Sequence, residues 1–175
     1  MIHIAISGPE SSGKTTLCEQ IAARYEGALV VSEYAREFLE ANHPDGQYSI
    51  QDVKMMFLEQ LRRWLDSLKG DAPLVIWDTD PMVYKIWVNE VYQEDWKEIK
   101  DAIDQLHPDI LLLCKPDIPW EYDPLRQNPN DRDRLFEIFE KEYRISNSDY
   151  IVIHGDHENR RMIAFEYIDD ALTNN

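Results

Sequence analysis

Apolar residues along this chain follow two patterns: short unbroken runs, and longer stretches in which they recur every three or four positions. The runs are IHIAI at 2–6, ALVV at 28–31, PLVIW at 73–77, DILLLC at 109–114 and YIVI at 150–153. Short runs without polar alternation predict strands covered on both faces, as in a parallel sheet. Between them, Leu17, Ile21 and Ala22 mark one helix, and Ile50, Val53, Phe57, Leu61, Trp64 and Leu68 mark a longer one. TDPMVYKIWVNEV at 79–91 places Pro81 at a helix-opening position, and Trp96, Ile99, Ile103 and Leu106 share one side of the next helix. HENRRMIAFEYIDDAL at 157–172 predicts a closing helix. Alternation of strands and helices predicts an α/β fold: three layers, with a central, mostly parallel five-stranded sheet flanked by helices.

The loop after the first strand gives that sheet a chemistry. GPESSGKTT at 8–16 fits G-x-x-x-x-G-K-[ST] through Gly8, Gly13, Lys14 and Thr15. Small residues let successive backbone N–H groups converge on phosphate, a lysine neutralises the outer phosphates, and the Thr15 hydroxyl can ligate magnesium. The next helix adds its positive N-terminal dipole. We therefore expect Gly8, Glu10, Ser11, Ser12, Gly13, Lys14, Thr15 and Thr16 to bind nucleotide, and the fold to be of the P-loop NTPase kind.

In open α/β sheets ligands bind beyond the carboxyl ends of the strands, so the other strand ends carry the remaining candidates. The third run ends in Asp78 and Asp80, either of which can hold magnesium or accept a hydroxyl proton. Alternate strand positions face one way, so the two carboxylates can serve one site; Asp80 can equally cap the helix opened by Pro81. The second run ends in Glu33, Tyr34 and Arg36, a set suited to a polar ring or sugar, with Glu33 a second candidate base. The same residues also read as an acid-decorated helix start. The irregular, proline-rich segment at about 116–134 holds Arg126, Arg132 and Arg134, and arginines on a lid would stabilise charge during phosphoryl transfer. Arg134 also reads as a solvated helix residue.

Composition narrows the partners. The 175 residues suit one domain, and 43% hydrophobic with 30% charged content is that of a globular protein. A formal charge of -16 argues against a nucleic-acid surface and favours a small or cationic partner. Cys18 and Cys114 lie in predicted core elements without metal-like spacing. With no signal-like N-terminus and no run of membrane-spanning length, a cytoplasmic protein is expected.

Taken together, GPESSGKTTL, SEYAREFL, WDTDPMVYKIW, PDIPWEYDPLRQNPNDRDRLFEIFEKEY and YIVIHGDHENR resemble the ATPase/kinase domain family typified by the ribosylnicotinamide kinase portion of bacterial NAD-biosynthesis regulators. The resemblance spans nearly the whole chain. It implies ATP- and magnesium-dependent phosphorylation of nicotinamide riboside at its 5'-hydroxyl, giving nicotinamide mononucleotide. By resemblance Asp78 is the magnesium or base aspartate, Arg126 and Arg132 are lid arginines, and Trp120 and Asp123 neighbour the substrate. The regulator's DNA-binding and adenylyltransferase portions have no room in this length, so neither activity is expected. A cationic aromatic nucleoside would also suit Trp87 or Trp120 and nearby carboxylates through cation–π and Coulomb attraction; both tryptophans equally suit core packing, to which Trp64 and Trp96 are assigned.

Three rivals have their own signals. CKPD at 114–117 imitates the guanine-reading [NT]-K-x-D, but its first residue is wrong and no D-x-x-G follows the third strand. A kinase for another nucleoside or small metabolite would carry the same aspartates and lid. A nucleotide-dependent interaction module would share the fold without the chemistry.

Overall fold

In the computed structural model, which describes residues 1–44, 46–121 and 130–174, the elements run β1 (Ile2–Ser7), α1 (Lys14–Arg24), β2 (Leu29–Val31), α2 (Tyr34–Asn42), α3 (Ile50–Ser67), β3 (Leu74–Asp78), α4 (Pro81–Tyr92), α5 (Lys97–Gln105), β4 (Ile110–Cys114), α6 (Arg132–Ile145), β5 (Ile151–Ile153) and α7 (His157–Asn174). Every apolar run became a strand. The sheet order is β2-β3-β1-β4-β5 and all four pairings are parallel. β1 lies at the centre, with Ile4 opposite Ile76 of β3 and Ile110 of β4. The chain leaves β1 toward one edge and later crosses to the other, so the crevice above the carboxyl end of β1 is where a ligand fits.

Helices cover both faces. On one, Ile4, Ile6, Ile76 and Leu112 pack with Leu17 and Ile21 of α1 and Ala164 and Ile168 of α7. On the other, Ala5, Val75, Trp77, Leu111 and Leu113 pack with α2 to α6 through Phe38, Phe57, Trp64, Tyr84, Ile99 and Phe139. Two-sided burial explains why β1, β3 and β4 show no alternation; the edge strand β2 departs from the expected cover, with Leu29 and Val30 exposed. Trp64 is fully buried and Trp96 packs partly buried against the second layer.

Local signals set the helix ends. Ser49 and Asp52 form a reciprocal capping box at the start of α3, and Pro81 opens α4. The outer face of α3 differs from a purely polar surface: Met55, Leu58 and Leu65 are exposed there. Both cysteines are buried and free, and burial pushes the Cys114 thiol up to about 12.

Candidate functional site

The turn from β1 into α1 is shaped by backbone geometry. Gly8 has φ 133, and a Cβ there would meet the Cys114 carbonyl at 2.6 Å, so the loop must pass β4 without a side chain. Gly13 caps α1 with φ 80, facing Ile118. The Ser12 hydroxyl donates to Pro9 O at 2.7 Å and closes the turn. The Lys14 ammonium donates to the carbonyls of Gly8 (3.0 Å) and Pro9 (2.9 Å), parked beside the turn. The first turn of α1 holds no acid and no side chain caps it, so its N–H groups face the loop uncompensated.

Thr15 and Asp78 meet beside it. The Thr15 hydroxyl donates to Asp78 Oδ2 at 2.7 Å, while Asp78 Oδ1 is buried without a partner among the described residues. Burial raises the Asp78 carboxyl, opposed by Thr15 and Lys14. A hydroxyl and a carboxylate with one orphaned oxygen form a hard oxygen donor set, and they fit magnesium. Among the described residues no three His, Cys, Asp or Glu residues cluster as a complete metal cage. An ion held by Thr15 and Asp78 would complete its shell with phosphate and water, as magnesium commonly does.

Asp80 does not join Asp78. The strand ends at Asp78, and Thr79 adopts φ 85 with its N–H donating to Ile6 O, so strand alternation stops before Asp80. The Asp80 carboxylate instead accepts from Ser7 Oγ at 2.8 Å and Tyr143 Oη at 2.9 Å. It stands at the N-cap of α4 yet makes no side-chain cap bond.

The cleft above β1 has two connected halves. One half, beside the loop and hereafter the donor half for the role proposed below, is lined by Ser11 to Thr16, Asp78, Ile118 and His157. The other, the acceptor half of that proposal, is lined by Gly8, Glu10, Tyr48, Trp87, Glu90 and apolar residues of α2, α4 and α6. Lys14, Glu33 and Arg36 line both. Glu33 precedes α2 without capping it, which lets its carboxylate face the cleft. Burial pushes that carboxyl up to about 7, with Lys14 and Arg36 opposing and Asp78 adding to the rise. Tyr48 stands edge-on to Trp87, their ring centres 5.5 Å apart.

Other candidates point elsewhere. Tyr34 turns toward α3: its N–H donates to Gln60 Oε1 at 2.7 Å and Arg63 covers its ring. Trp120 lines neither half and lies under the Arg132 guanidinium. Arg132 donates to the carbonyls of Ser11 at 3.0 Å and Ile118 at 3.1 Å, fastening the start of α6 to the phosphate loop. Arg134 pairs with Asp131 and Glu90 on an exposed face. Arg126 and Asp123 lie outside the described residues.

Sequence reasoning missed Tyr48 and Glu90, and it assigned nothing to Arg160. Tyr48 precedes α3 in a stretch without a motif, so only tertiary packing brings it to Trp87. Arg160 had a signal, because it lies just past the last strand end in GDHENR, where ligand-facing residues gather.

A family model described as an AAA domain matches residues 3–160. Among curated proteins none matches. The solved structure of an NadR protein in complex with NR superposes with TM-score 0.76 at 20% identity, covering 97% of this chain and 51% of the other. Deoxyadenosine kinase from M. mycoides gives TM-score 0.70 at 15% identity, covering 97% and 100%. Thymidylate kinase from Ehrlichia chaffeensis gives 0.65 at 15%, covering 97% and 98%. The chain thus spans the full length of the deoxyadenosine kinase and about half of NadR. These likenesses establish the α/β fold of P-loop kinases.

Proposed function

The chain belongs to the AAA-domain family of P-loop proteins, and we propose that it is an ATP- and magnesium-dependent kinase that phosphorylates the 5'-hydroxyl of a nucleoside, nicotinamide riboside first among the candidates. The observation that carries this reading is the junction of the two half-clefts, where Lys14, Glu33 and Arg36 face both a phosphate cradle and an aromatic, acid-rimmed chamber. A nucleotide hydrolase needs only the first half. A transferase needs a second chamber that opens on the γ-phosphate, with a base at the boundary.

In this reading Gly8, Glu10 and Ser11 to Thr16 hold the donor phosphates, and Lys14 leaves its loop carbonyls to neutralise them. Thr15 and Asp78 hold magnesium, which when bound draws charge from the phosphate oxygens. Glu33 takes the acceptor's hydroxyl proton: it lines both halves, whereas Asp78 lines only the donor half and already accepts from Thr15. Arg36 orients sugar or phosphate at the same boundary. Trp87 and Tyr48 flank the acceptor ring, and Glu10 favours a cationic one. The NadR structure with NR and the family resemblance support that choice of acceptor, and the deoxyadenosine kinase and thymidylate kinase structures support the wider class. No helix among the described residues is long and apolar enough to cross a membrane. The cytoplasm, which supplies ATP and small nucleosides, is the proposed place of action.

Incubation with ATP, magnesium and a nucleoside panel, read by product mass, tests the reading. Nicotinamide mononucleotide as the dominant product supports it. A different phosphorylated nucleoside keeps the kinase and replaces the acceptor, and tight ATP binding without any product favours the interaction module.

A further inference from the structure

The guanine-like CKPD stretch and the residues after β5 meet at one buried arginine. Arg160 on α7 is only 3% exposed, and its guanidinium reaches three separate loops. Nη1 donates to Ser12 O in the phosphate loop at 2.8 Å. Nη2 donates to Lys115 O after β4 at 2.6 Å and to Asp117 Oδ1. Nε donates to Gly155 O after β5 at 2.7 Å. The other Asp117 oxygen accepts from the Gly155 N–H at 2.9 Å. Both oxygens of the carboxylate that would have to read guanine N–H groups therefore already accept from within the protein, which fixes its orientation.

The start of α7 is built to hold Arg160 still. Asp156 accepts from the Asn159 N–H at 2.9 Å, and its carbonyl accepts from the Arg160 N–H. Gly155 has φ 86, and Asn159 packs against the place its Cβ would occupy. A planar fork with several fixed donors can bridge carbonyls in different directions, which a lysine ammonium on a flexible stem cannot do with the same geometry.

We propose that the Arg160–Asp117 pair is a positioning brace for the phosphate loop, tying the loops after β4 and β5 to Ser12, and that it takes no part in reading the donor's base. This rests on the reading that the loop binds donor phosphates, and it adds a residue outside the cleft that sets the loop's shape. A carbonyl pinned at Ser12 turns the next N–H groups, those of Gly13 and Lys14, toward the phosphate. Without it the loop can rotate a carbonyl into the cradle and repel the anion. The brace thus acts on phosphate affinity and equally on any triphosphate donor.

Two variants test it, Arg160→Lys and Asp117→Asn, with binding of inorganic triphosphate, ATP and GTP measured by calorimetry on folded protein, and amide exchange followed over residues 8–16. Circular dichroism selects the variants that retain the native fold; if Arg160→Lys does not, Asp117→Asn decides. The brace predicts affinity losses of about tenfold or more, alike for all three ligands, with faster exchange at Gly13 and Lys14. Unchanged triphosphate affinity overturns it. A loss confined to ATP or GTP, or an altered ATP-to-GTP ratio, also overturns it by making Asp117 a base reader. These binding measurements need no acceptor, so they stand or fall apart from the choice of nucleoside.

Discussion

At Glu33, burial and charge pull in opposite directions: desolvation pushes the carboxyl up to about 7, while Lys14 and Arg36 favour the anion. A base must be unprotonated to accept the hydroxyl proton, so the rate should climb with pH and level off above about 7. Glu33→Gln should abolish that rising limb and lower kcat by roughly 10²- to 10⁴-fold; an unchanged pH profile would return the base role to Asp78. The same shift has a stability consequence. An acid whose folded pKa is raised contributes most below its unfolded value, and the contribution fades as pH rises from about 4.5 through about 7. Glu33→Gln should therefore melt higher than the native protein at pH 8 and no higher at pH 4, as calorimetry would read. Lys14 makes a second prediction at this scale. Lys14→Ala should cut phosphoryl transfer by about a hundredfold or more with the fold intact, because a charge preorganised for the transferring phosphate is gone. Full turnover in that variant would remove the phosphate loop from the mechanism.

Between elements, a few backbone positions decide whether the site assembles. Gly8 lets β1 hand over to the loop while brushing β4; Gly8→Ala combines φ 133 with a 2.6 Å clash against backbone. The neighbour cannot swing aside, so a stability loss of about 1–3 kcal/mol is expected, with ATP affinity lost beyond what unfolding explains. Thermal melts with and without ATP separate the two: a variant that ATP protects as well as the native chain would show the loop undisturbed. The strand positions, the helix opened by Pro81 and the phosphate loop were all legible in the sequence, because each follows from a local rule of periodicity, propensity or spacing. The partnership of Asp78 with Asp80 was not. It relied on strand alternation continuing past Asp78, and Thr79 at φ 85 ends it, sending Asp80 to Ser7 and Tyr143. The turn of Tyr34 toward Gln60 was hidden for a similar reason, since its partner lies 26 residues away on α3.

Across the whole molecule, a formal charge of -16 surrounds an acceptor chamber whose lining sets Glu10 and Glu33 beside Lys14 and Arg36, with Glu90 paired to Arg134, so the charge of the whole molecule carries the attraction. Long-range attraction to a cation is screened by salt, whereas recognition of a neutral ring is not. For nicotinamide riboside kcat/KM should accordingly fall between low and physiological ionic strength, while that for uridine stays nearly level. At low salt the cationic nucleoside should be preferred by roughly tenfold or more, since several cation contacts of order 1 kcal/mol act together. Competition between the two, followed by product mass at several salt concentrations, measures both. A salt-independent ratio near one would discard the electrostatic argument while leaving the kinase. The sequence by itself determined the strands, their parallel stacking and the phosphate cradle, because burial on two faces and the G-x-x-x-x-G-K-[ST] spacing are written in neighbouring residues. Only the tertiary structure decided that Glu33 stands where both half-clefts meet, that Tyr48 faces Trp87, that Trp120 lies under Arg132, and that Arg160 ties three loops together. Those juxtapositions join residues far apart in the chain through the packing of helices on the sheet, and no local periodicity encodes them.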